Sequence, residues 1–149
     1  MSDHEIRNHL RSALAAVVEA EQNRVSTILN NGKISQAQGI EMMKPVITLL
    51  QALKEEVGEV EGLRISTAPH GHMATVNAGT LVTDDSLSIS ANYNATAFVV
   101  EGSRSYRMDN SHNEYVKEYS SAEEVMARVL DVVGKHIGGQ QAQRAYKKA

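Results

Sequence analysis

The sequence predicts an α+β fold: an N-terminal antiparallel helical hairpin, an antiparallel β-meander and a C-terminal helix packed on the sheet. Three observations predict it. Before Gly62, apolar residues recur every three or four positions, the spacing of a helix face. After it they alternate, as they do in half-buried strands. Beyond Ser121 a single stripe of valines returns to the helical period.

Ser2 and Glu5 have the spacing of a capping box and open the first helix. Ile6, Leu10, Leu14, Val17, Val25 and Ile28 form its stripe, interrupted by Glu21. Asn31-Gly32 suits a left-handed stop. Ser35 and Gln38 repeat the box, and Ile40, Met43, Ile47, Leu50 and Val57 form a second stripe. Two antiparallel helices joined by a short turn follow. Pro45 lies within the second stripe, where its missing N–H predicts a kink near Glu41. Gly58 and Gly62, among Glu55, Glu56, Glu59 and Glu61, mark an acidic exit. A first helix of about 27 residues runs ~40 Å, whereas strands of five to eight residues span only about 17–27 Å. The hairpin is thus predicted to outrun the sheet, and a second copy of the chain is the simplest cover for its stripe. A long helix with a solvated far end is the rival.

Turn residues at short intervals place strands at 63–67, 73–78, 80–83, 86–93, 96–101, 104–108 and 114–119. Asp84-Asp85, Asn94-Ala95 and Gly102-Ser103 are the candidate two-residue turns. With Asn94-Ala95 as a loop, Ala91 faces Phe98 and Ile89 faces Val100. One face then collects Leu87, Ile89, Ala91, Tyr93, Phe98 and Val100 as core. With Gly102-Ser103 as a loop, Glu101 pairs with Arg104. The opposite face then gathers Ser88, Ser90, Asn92, Val99, Glu101, Arg104 and Tyr106. Ser88, Ser90, Asn92, Glu101, Arg104 and Tyr106 are the candidate ligand-binding residues, since hydroxyls, an amide, a guanidinium and a phenol suit a polar ligand. The bland reading of such a face is the wet side of a meander. Ser121 and Glu124 cap the last helix; Val125, Val129, Val132, Val133 and Ile137 are its stripe and Gly138 its stop.

Residues 1–138 read as one domain, 1–61 as hairpin and 62–138 as meander plus helix, with 139–149 a flexible basic tail. Arg144, Lys147 and Lys148 are 3 of the 15 basic residues, which leaves 12 against 18 acidic ones, or −6, in 1–138. So acidic a body disfavours nucleic acid, whose affinity rests on cations that neutralise phosphates. With 0 Cys there are no disulfides, thiolate metal sites or thiol nucleophiles. The opening MSDHEIRNHL lacks the progression of a secretory signal, and no apolar run approaches the ~20 residues of a membrane helix. The expected compartment is cytoplasmic, without membrane attachment.

His70-Gly71-His72 could share a metal, but a zinc site wants three or four protein ligands; Pro69 and Gly71 favour a turn. Asp109-Asn110-Ser111-His112 holds a Ser/His pair in a turn-forming setting. No phosphate-binding loop, nucleophile elbow or HExxH is present. The expected function is a non-enzymatic binding or regulatory protein, homo-oligomeric, holding a small anionic ligand or a partner protein. No catalytic residue, metal or cofactor is assigned. Three rivals stand beside it. One is a hydrolase or lyase using His70, His72, Asp109 or His112; another is a structural assembly subunit; the third is a nucleic-acid-associated protein acting through its tail.

Overall fold

The computed structural model describes residues 2–148. Its elements are α1 (Asp3–Val57), β1 (Leu63–Thr67), β2 (Met73–Gly79), β3 (Thr83–Ala91), β4 (Phe98–Tyr106), β5 (His112–Tyr119) and α2 (Ala122–Lys148). The strands form one antiparallel sheet in the order β1-β2-β3-β4-β5, so each pairs with its sequence neighbour. This is the α+β class, with a meander and a C-terminal helix against the sheet. The chain divides into two compact units, Met1–Gln36 and Ala37–Ala149.

In the first unit the capping box forms. Ser2 N–H donates to Glu5 Oε2 at 3.3 Å, and Glu5 N–H to Ser2 Oγ at 3.2 Å. The hairpin does not form: one helix runs through Asn31-Gly32 to Val57. Gly32 keeps a negative φ and meets no neighbour that would force a turn. A glycine in a helix interior costs only about 1 kcal/mol relative to alanine, too little to end a helix without a packed alternative. Residues 2–34 are all exposed.

In the second unit Met43, Val46 and Leu50 of α1 are fully buried, and Gly58, at φ +66°, closes the helix with its N–H on Lys54 O at 3.1 Å. One sheet face contributes Ile65, Ala74, Val76, Leu87, Ile89, Phe98 and Val100 to the core; α2 contributes Val125, Met126, Val129, Val132 and Val133. Each fully buried aliphatic side chain stabilises by about 1.5–3 kcal/mol. The Ala91↔Phe98 and Ile89↔Val100 pairs form as predicted. Tyr93, predicted in the core, is 85% exposed, because β3 ends at Ala91 and the turn begins. Asn92 holds that turn, its Oδ1 accepting from Thr96 N–H at 2.8 Å and Ala97 N–H at 3.1 Å.

Two predicted turns are strand instead. Gly102-Ser103 lies within β4, laddered on both sides: Gly102 pairs with Leu87 and with Tyr115. The glycine admits a ring, not a reversal, for a Cβ there would collide with Tyr115. Asp84-Asp85 lies within β3, and the reversal falls at 80–82, inside the segment 80–83 that was predicted as a strand. Thr80 N–H donates to Thr83 O at 2.7 Å, while Thr80 Oγ1 accepts from Val82 and Thr83 N–H. Ser121 Oγ caps α2 through Glu124 N–H at 3.2 Å. Gly138 does not stop α2, which continues through residues 139–148 with helical φ at both glycines. No described helix is long and apolar enough to cross a membrane.

Candidate functional site

Because β4 is continuous, residues 98, 100, 102, 104 and 106 share one face. Arg104 and Tyr106 therefore lie on the same side as Phe98 and Val100, under α2. Ser88 and Glu101, a register pair, face the other way with Ser90 and Val99. Of the predicted set, Ser88 and Ser90 are half-buried and Glu101 exposed on that second face, while Asn92 is committed to its turn. Ser88 Oγ reaches Met73 Sδ at 3.3 Å. The structure thus splits the six predicted residues: Ser88, Ser90 and Glu101 share the second face, Asn92 belongs to its turn, and Arg104 and Tyr106 lie together on the α2 side.

Those two line a partly open cavity of about 440 Å³, one wall of which is α2. Along the covered face the lining changes from apolar to polar towards the β4 C-terminus. On that sheet face the core residues Phe98 and Val100 and the lining residue Leu87 give way to Asp85, Arg104, Tyr106, Asn113 and Tyr115. Arg104 faces Asp85 in the register and clasps it, Nε to Oδ1 at 2.7 Å and Nη2 to Oδ2 at 3.2 Å. The predicted partner, Glu101, was a consequence of the turn that is not there. The Asp85 carboxylate, helped by the Tyr106 hydroxyl, raises the Arg104 pKa further above its ordinary value, so the guanidinium stays charged.

Opposite them, α2 sets Arg128, Asp131 and Lys135 on one side at helical spacing. Arg128 Nη1 reaches Asp131 Oδ2 at 3.2 Å, and Lys135 Nζ reaches it at 3.1 Å. Arg128 also donates to the Tyr115 hydroxyl from Nε and Nη2, at 2.9 and 2.6 Å, and sits 5.3 Å from the ring centroid. Tyr115 in turn packs on bare Gly102, so a glycine, a ring and a guanidinium stack in one wall. Three cations, Arg104, Arg128 and Lys135, meet two carboxylates, Asp85 and Asp131, which leaves one positive charge over. At the cavity's end the buried His136 has Nε2 2.8 Å from Glu61 O, a carbonyl that accepts, so Nε2 carries the proton. Tyr115, Arg128, Asp131 and Lys135 were missed from sequence. The polar i, i+3, i+7 set beside the valine stripe was their only signal.

A second group was also missed in part. Ser105 Oγ lies 2.8 Å from His112 Nδ1, and His112 Nε2 lies 2.7 Å from Glu114 Oε1. The partner of His112 is thus Ser105 across the strand pair, not its neighbour Ser111. Such a line can relay a proton, but it stands on exposed side chains and lines none of the described cavities. Asp109 accepts from Ser111 N–H at 2.9 Å, which lowers its pKa and makes it a turn-former. His70 and His72 stack at 6.4 Å in the β1–β2 turn. In a meander that turn and the β4–β5 turn fall at opposite ends of the sheet, so His70 and His72 do not converge with Asp109 and His112. Among the described residues no three His, Asp or Glu side chains are placed to hold a metal ion.

The tail cations Arg144 and Lys147 line a separate open groove with Arg64, Arg107, Glu61 and Asp84. Arg107 is bound to Asp84, Nη2 to Oδ1 at 2.8 Å and Nε to Oδ2 at 3.1 Å, and this guanidinium lowers the Asp84 pKa. Compared with known proteins, the chain matches no family model, no curated protein and no solved structure.

Proposed function

We propose that this chain is a non-enzymatic cytoplasmic binding protein, homo-oligomeric, that holds a small anionic ligand in the cavity beneath α2. The observation that supports it is polar chemistry where a core belongs. The sheet's covered face turns from valine and phenylalanine to Arg104, Tyr106 and Tyr115, and α2 answers with Arg128 and Lys135. The volume of about 440 Å³ lies in the range of small-ligand sites. A guanidinium has five N–H donors and Asp85 takes two from Arg104, which leaves donors for a carboxylate or phosphate. Tyr106 and Tyr115 offer ring surface to whatever carries the anion.

The test is native mass spectrometry of the protein purified from its own cells, followed by calorimetric titration with a panel of small carboxylates and phosphates. A reproducible extra mass, with binding weakened at least ~10-fold by Arg104→Ala, supports the reading; hydrogen bonds to charged groups contribute about 1.5–3 kcal/mol each. A bare protein that binds no member of the panel at millimolar concentration sinks it.

The line Ser105–His112–Glu114 favours a second reading, a serine hydrolase. Its test is a fluorophosphonate probe, which must label the protein and fail on Ser105→Ala.

A further inference from the structure

Residues 3–31 of α1 carry an apolar stripe with no cover in their own unit. Ile6, Leu10, Leu14, Val17, Val25 and Ile28 are 41–66% exposed. At 100° per residue they fall within an arc about 100° wide, the width of a core-facing stripe rather than of a solvated face. The stripe is also nearly palindromic. Ile6 lies 11 positions before Val17 and Ile28 lies 11 after it; Leu10 and Val25 lie 7 and 8 positions away. An 11-residue repeat keeps one face in line along an almost straight helix.

We propose that this face pairs with the same face of a second copy, antiparallel, with the two-fold axis at Val17. The inference rests on the homo-oligomeric part of the proposed reading and specifies its geometry. In that register Val17 meets the partner's Val17, Ile6 meets the partner's Ile28, and Leu10 lies beside the partner's Val25.

Charge selects this arrangement over the parallel one. Glu21 sits in the middle of the stripe, held by Arg24 at 2.6 Å. Parallel, in-register helices would bring the two Glu21 carboxylates together in the seam, where like charges are costly. The antiparallel register moves them about 12 Å apart along the axis and sets each within about 3 Å, axially, of the partner's Arg11. Antiparallel helix dipoles add to the preference. The contact would run about 42 Å and bury on the order of 1,000 Å² in total, enough for a specific dimer. A shallow groove lined by Val17, Val18 and Val25 together with Glu21, Gln22 and Ser26 runs along the helix from the proposed axis.

Because the chain has 0 Cys, single introduced cysteines report the register cleanly. Light scattering of the full chain at tens of micromolar should give a dimer. Under mild oxidation Val17→Cys should bridge to itself. Ile6→Cys and Ile28→Cys should each fail alone and bridge when mixed, since a disulfide needs Cβ atoms within about 4.5 Å. Val17→Glu should weaken the dimer at least tenfold with an unchanged far-UV spectrum. A monomer overturns both the pairing and the homo-oligomeric reading. A dimer in which Ile28→Cys bridges to itself, or Val17→Cys does not, overturns the antiparallel register alone.

Discussion

Gly102 shows how one missing side chain shapes the candidate site. Its hydrogen leaves room for the Tyr115 ring, whose hydroxyl then takes two donors from Arg128. Gly102→Ala should force that ring aside and cost about 1–3 kcal/mol, as overpacking does; urea denaturation would measure it, and an unchanged midpoint would contradict the stack. Asp84 gives a pH prediction. Arg107 lowers its folded pKa, so the unfolded chain binds more protons and the pair's contribution to stability rises with pH. That contribution is present above the unfolded value, about 3.9, and is lost as pH falls through the folded one. The melting temperatures of wild type and Asp84→Asn should therefore converge on acidification and separate towards neutrality. Equal gaps at every pH would mean that the pair does not titrate as described. At this scale Arg104 and Tyr106 were legible, because a guanidinium and a phenol two positions apart in a strand must share a face. Which face was not legible, because one false turn at Gly102 inverted it.

Among the elements, α1 departs furthest from its predicted form. Asn31-Gly32 is a sound stop signal, yet signals of about 1 kcal/mol yield when no second helix packs against the first. Alanine at Gly32 should raise the ellipticity at 222 nm, since the site is helical and open. A loss of helix would point to a left-handed turn there. The second half of α1 behaves as its stripe predicts: Leu50 is 0% exposed, and Leu50→Ala should cost about 2–5 kcal/mol by calorimetry. In α2 the valine stripe was legible because its period reports burial directly. Its extension past Gly138 was not, because glycine permits a stop without requiring one.

Across the molecule, every buried hydrophobic residue among the described residues lies at or beyond Met43, within the unit Ala37–Ala149. A chain lacking residues 2–36 should keep its sheet spectrum and melt within a few degrees of the full chain at the same subunit concentration. A collapse of the transition would show that the first unit supports the core. The truncated chain should also be monomeric if the N-terminal helices mediate assembly.

The sequence by itself determined the α+β class, the order of helix, meander and helix, the Ala91↔Phe98 register and the identity of most of the core. These follow from local periodicity, which each segment carries in its own residues. Only the tertiary structure decided that α1 is one helix, that β4 runs unbroken, and that Arg104 faces α2 and Asp85 rather than Glu101. Those outcomes depend on what packs opposite a residue: a ring over Gly102, a carboxylate across from Arg104, and nothing at all beside Gly32. A turn signal is worth about a kilocalorie, and the neighbours that overrule it come from elsewhere in the chain.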